Sequence, residues 1–205
     1  MSKSLRESPD FSLVLGGPLF QLLRRTHVSG DALELLHRRI LVIVLITWLP
    51  LLLFSELWGH GRGGTGSIPF LHDLEAQVRL LVALPVLIAA ELVVHLRIRP
   101  VVGRFVERGI VIPEERQKFH AAVDSALRVR NSVVVEVGLV ILVWTVGHWL
   151  WRSQIALDTT SWYATLEGGI WQFTPAGYWY AFFSIPIFQF ILLRWYLRLF
   201  IWFRF

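Results

Sequence analysis

The sequence predicts an all-α, multi-pass helical membrane protein with four transmembrane helices, a cytoplasmic amphipathic helical arm and a small outer hairpin. Three observations carry that expectation. Of the 205 residues 55% are hydrophobic and mean hydropathy is +0.56, too apolar for a soluble domain of ordinary composition. Four apolar runs each approach the length that crosses a bilayer. Lysine and arginine gather beside those runs on one side only.

Residues 1–39 read as a cytoplasmic and interfacial N-terminal segment, followed by a membrane domain over 40–205. No cleavable leader is evident, so the first span is expected to act as its own insertion signal. Residues 11–25 (FSLVLGGPLFQLLRR) are apolar with a basic end but broken at Gly16-Gly17-Pro18, which suits a segment lying on the inner surface. Ser29 is placed to cap a helix that runs through His37-Arg38-Arg39 into span one, 40–58. At 1.5 Å per residue that span covers roughly 28 Å, near the hydrocarbon thickness. Pro50 is expected to bend it.

The glycine-rich stretch 59–67 contains GHGRGG, but it follows a membrane span rather than a strand and lacks the Lys-Ser/Thr of a phosphate loop. A connector is the better reading. His60, His72, Asp73 and Glu75 follow no recognised ligand spacing, so no metal and no cofactor is expected. Span two covers 78–96, with Pro85 inside it.

The polar arm 97–131 divides into a short helix ended by Gly109 and a second helix opened by Pro113. In the second, Phe119, Val123 and Leu127 recur at helical spacing, so one face is apolar, and it runs on towards span three, 132–151. His120 and Asp124, one turn apart, read as a helix-surface pair. Residues 161–174 suggest two aromatic strands around Glu167-Gly168-Gly169, or an aromatic cap at the outer interface. Span four, 176–193, contains Pro186 and passes into a basic, aromatic extension.

With the N-terminus inside, seventeen Lys/Arg fall on the inner side and three (Arg62, Arg79, Arg152) on the outer. The positive-inside rule then puts both termini in the cytoplasm of a bacterial inner membrane. Orientation accounts for the net charge of +5 better than nucleic-acid binding does. The absence of cysteine excludes disulfides, thiolate metal sites and cysteine nucleophiles.

The chemistry-bearing residues lie inside the spans. Glu91 and Glu136 sit roughly 6–8 Å inside the inner boundary on consecutive antiparallel spans. His95 and Arg99 follow Glu91 at one-turn intervals, and Arg194 enters from span four at a similar level. Glu91, Glu136, His95 and Arg194 are therefore the candidates for a proton- or cation-handling cluster. The competing reading is helix glue, with Glu91 on His95 or Arg99 and Glu136 on Arg194. Arg97, Arg99 and Arg198, with Arg194, are candidates for anionic lipid headgroups. On the outer side Glu56, His60, Arg79, His148 and Arg152 read as interfacial anchors. Ser184 and Gln189 read as interhelical hydrogen-bond donors, and Gly138 and Gly147 as sites of close packing.

Three function classes follow: a channel or transport-type component, alone, as a homo-oligomer or in a larger membrane complex; a non-catalytic scaffold whose arm docks a partner or anionic lipid; and a membrane-embedded enzyme acting on a lipid. No catalytic residue is assigned, since the sequence holds no H-E-x-x-H and no G-x-S-x-G. The stretch IPIFQFILLRWYLRLFIWFRF (185–205), with PFLHDLE (69–75) and LRVRNSV (127–133), resembles the first half of a longer bacterial inner-membrane protein family with no known activity. The resemblance covers the whole chain and implies that the native protein continues past Phe205.

Overall fold

The computed structural model describes residues 36–61, 68–108, 115–149, 161–167 and 170–204. The expected interfacial segment, the Ser29 cap, most of the glycine-rich connector and Pro113 lie outside these residues. The first helix, α1 (Leu36–Leu57), shows why an apolar sequence still has an inside. Leu41, Leu45, Leu49, Leu53 and Leu57 recur every fourth residue as an exposed stripe, while Arg39, Thr47, Leu51 and Ser55 form a buried one.

A short 3-10 turn at Phe70–His72 leads into a second long run. It begins as α2 (Leu74–Val78), passes through a π-type turn at Arg79–Ala83 and continues as α3 (Leu84–Glu107). The inward stripe here is Ala76, Leu80, Leu84, Ile88, Glu91 and His95. The helix does not stop near Leu96 as the polar sequence suggested. Pro100 lies within it, because a proline removes one i→i−4 hydrogen bond without obliging the rest of the ladder to end.

Helix α4 (Arg116–Arg130) packs its Phe119, Ala126 and Leu127 against Ile201 near the chain's end. The side chains of His120 and Val123 lie outside the described residues. Instead of running on, α4 breaks at Asn131, and Ser132 caps α5 (Val133–Leu142) by accepting from the Val135 N–H at 3.4 Å. A π-type turn, Val143–Gly147, extends α5 outward.

The outer side carries an antiparallel pair, β1 (Ala164–Glu167) and β2 (Ile170–Phe173), with Glu167 opposite Ile170. The last run repeats the build of the second: α6 (Pro175–Trp179), a π-type turn Tyr180–Ser184, then α7 (Ile185–Arg204). In both runs five α residues are followed by five π residues, and proline is the second residue of the long helix that follows (Pro85, Pro186).

The chain is therefore mostly helical, with three helices long and apolar enough to cross a membrane: Leu36–Leu57, Leu74–Arg97 and Pro175–Phe203. A fourth is reached only if the pair Gln117–Val129 and Val133–Gly147, bent by 46°, is counted as one. The core between the runs joins Leu51, Leu80, Leu84, Ile88, Tyr180, Ala181 and Ile185.

An aromatic cap closes the outer end. Fully buried Trp162 meets Phe70 edge-on with centroids 4.8 Å apart and Tyr180 at 5.0 Å. Asp73 is structural here: one oxygen accepts from the Ala76 N–H (3.0 Å) and the other from the Trp162 indole (2.8 Å). Thr174 likewise donates to the Trp162 carbonyl (2.7 Å) while capping α6 at the Gly177 N–H (3.0 Å). Hairpin and aromatic cap are thus one assembly.

Candidate functional site

Every inward stripe is apolar along most of its length and charged at one end. From α1 comes Arg39, from α3 Glu91 and His95, from α5 Glu136, and from α7 Arg194 and Arg198; each is at most 8% exposed. Side chains this polar persist in such a setting only when paired.

Glu91 lies between two guanidinium groups. Arg39 Nη1 donates to its Oε2, and Arg198 Nη2 donates to its Oε1 at 2.7 Å. Arg194 Nη2 meets Glu136 Oε1 at 3.2 Å. The charges of Arg39, Arg194 and Arg198 act on both carboxylates' surroundings together, so these five groups form one electrostatic cluster. The Arg198 guanidinium also lies over the Trp195 ring, 5.0 Å from its centroid. One level of ion pairs therefore ties α1, α3, α5 and α7 together.

The local sequence places each member by helical arithmetic. Arg194 and Arg198 are four apart and share a face of α7, while Glu91 follows Leu84 and Ile88 down the inner stripe of α3. Glu136 lies in the first turn of α5, where the N-terminal end of the helix dipole favours a carboxylate.

The candidates from sequence are divided by this arrangement. Glu91, Glu136 and Arg194 come together, and Glu136 takes the partner expected of it. Glu91 does not take Arg99 as its ion-pair partner; its two guanidinium partners arrive from other helices. His95 is buried on the same stripe. Arg198, read as a headgroup ligand, is instead a buried partner of Glu91, whereas Arg97 is exposed. The side chain of Arg99 lies outside the described residues.

Arg39 is the residue that sequence reasoning missed, having been counted with the soluble charges before span one. Its signal was the spacing Arg39, Ile43, Thr47, Leu51, Ser55, which sets it on the less bulky stripe opposite the leucines.

The cluster carries three guanidinium groups against two carboxylates. Two of its N–H-bearing atoms, Arg39 Nε and Arg198 Nη1, are buried with no hydrogen-bond partner among the described residues. Leaving a buried donor unpaired costs about 1–3 kcal/mol, more when it is charged. Such donors are prepared for an acceptor that arrives from outside the chain.

Other expectations resolve simply. Ser184 donates to the Thr47 carbonyl at 2.7 Å and Gln189 to the Gly147 carbonyl at 3.4 Å, so both link helices as expected. Gly147 faces Gln189 closely, whereas a Cβ on Gly138 would touch nothing within 4 Å. Arg79 pairs with Glu75 and donates to the Tyr180 hydroxyl at 2.7 Å. Among the described residues no three metal-ligating side chains gather.

No protein-family model matches the chain, and no curated protein and no solved structure is significantly similar to it.

Proposed function

We propose that the chain is a four-span, transport-type component of a bacterial inner membrane, with both termini cytoplasmic, whose working site is the Arg39–Glu91–Arg198 and Arg194–Glu136 cluster. The observation that carries this reading is the charge balance: three buried guanidinium groups face two carboxylates, with N–H groups left over. That balance favours an anion as cargo. Two carboxylates alone would favour a proton or a cation, but a cation entering here meets a net positive charge. The scaffold reading loses its motive, because the apolar face of α4 that was to dock a partner packs on α7.

The test is electrogenic flux into proteoliposomes under a potassium diffusion potential. Methanesulfonate and decanesulfonate serve as probes because they stay ionised and do not cross bilayers as neutral acids. Anion current at least fivefold above protein-free vesicles, lost in a folded Arg198→Gln variant, is the expected result. Proton or potassium current without anion current, abolished by Glu91→Gln or Glu136→Gln, would overturn the reading in favour of cation handling.

A further inference from the structure

An apolar crevice of about 330 Å³ opens between α1, α5 and α7, and Arg39 forms its charged end. Ile43, Val140, Trp144, Phe183, Ile187 and Phe190 are among its walls. The volume lies at the lower end of the roughly 300–1,000 Å³ typical of ligand pockets, which pair apolar walls with a few polar groups that orient the ligand. The crevice runs past both π-type turns, Val143–Gly147 and Tyr180–Ser184, and such turns recur at functional sites.

From these features we infer that the crevice takes a long-chain carboxylate, with its single acyl chain among the apolar side chains and its head on the Arg39 guanidinium. This rests on the anion-handling reading above and names the class of anion. Charge complementarity selects the head: Arg39 Nη1 is committed to Glu91, but its buried Nε–H has no partner among the described residues. Size selects it again. Arg39 is only 2% exposed, which admits the few atoms of a carboxylate but not a glycerophosphate with its substituents. The volume suits one chain, and its walls offer nothing polar beyond Arg39 for a second head or a sugar.

Electron spin resonance of 16-doxyl-stearate in phosphatidylcholine proteoliposomes at pH 9, where the head is ionised, tests the inference. Its methyl ester is the neutral comparison. The expected result is a motionally restricted component for the acid, at least tenfold tighter than for the ester. Val140→Trp fills the crevice from a position 44% exposed, so it leaves the core packing intact, and it should remove that component. Arg39→Lys keeps Glu91 compensated but deletes the Nε–H, and should weaken the acid about fivefold while leaving the ester unchanged.

Equal retention of acid and ester, or restriction that survives Val140→Trp, would overturn the inference. If methanesulfonate current persists in that case, the anion-handling reading stands without it. If that current is absent as well, both fall.

Discussion

The indole N–H of Trp179 donates to the main-chain carbonyl of Ile46 at 3.1 Å, and Ile46 is the residue four before Pro50. Proline has no N–H to give that carbonyl, so the bond from the last run supplies what the first helix lacks. The bend signal in span one is thereby also a docking point for span four.

This pairing predicts a coupling. Trp179→Phe should destabilise the protein by about 0.5–1 kcal/mol, the range for interhelical hydrogen bonds in membranes. In a Pro50→Ala background the restored N–H satisfies Ile46, and the same substitution should cost close to nothing. Unfolding in mixed micelles, followed for all four proteins of the cycle, reads the difference directly. Equal costs in both backgrounds would show that the bond is incidental.

The Arg194–Glu136 pair predicts strong non-additivity. Removing one partner leaves the other charge uncompensated in a buried site, a loss of about 3–5 kcal/mol. Arg194→Leu and Glu136→Leu should each be that damaging, while the double variant should recover more than half of the loss. Chemical denaturation of the single and double variants provides the measurement, and simple addition of the two losses would count against a buried pair.

Two glycines should answer oppositely to alanine. A Cβ on Gly177 would run into the backbone carbonyl of Tyr163, which cannot swing aside as a side chain could. Gly177→Ala should therefore cost about 1–3 kcal/mol and loosen the aromatic cap, visible in near-ultraviolet circular dichroism. Gly138 has open space around it, so Gly138→Ala should stay within about 0.5 kcal/mol of the parent or stabilise the helix slightly. Thermal melts of the two variants side by side make the comparison.

The outer Asp73–Trp162 bond is testable separately. Trp162→Phe keeps an aromatic ring against Phe70 but removes the indole donor at 2.8 Å from Asp73. A loss of about 1.5–3 kcal/mol is expected, since the acceptor is charged. Asp73→Ala in the Trp162→Phe background should then add only the loss of the α2 cap, about 1 kcal/mol.

Hydropathy made the long helices legible because lipid contact demands apolar residues wherever the chain is exposed. It placed three of them within a few residues, and the aromatic strands around Glu167 were readable from composition. The same signal misplaced the end of α3, since a charged stretch such as Arg97–Arg99 marks a change of solvent and leaves the hydrogen-bond ladder free to continue. It also joined α4 to α5, because Ser132 as a cap is a single residue within an otherwise helical pattern.

The site was half legible for a related reason. Glu91, Glu136 and Arg194 stood out as ionisable groups in apolar runs. Partner choice did not, because same-helix spacing offers Glu91 only His95 and Arg99, whereas Arg39 and Arg198 are 52 and 107 residues away in sequence. Arg39 carried the added disguise of standing at a span's edge, where arginine usually signifies orientation.

The second and last runs share one build, and its consequence is mechanical. Each passes from five α residues to five π residues before reaching its proline, so each has its weakened hydrogen-bond ladder at the same distance from its capped start. Above these paired joints the helices belong to the aromatic lid; below them they belong to the arginine–glutamate level. A tilt of the lid would be taken up at both joints at once, and the first side chains to feel it would be Phe182 and Phe183, in the wall of the crevice that ends at Arg39.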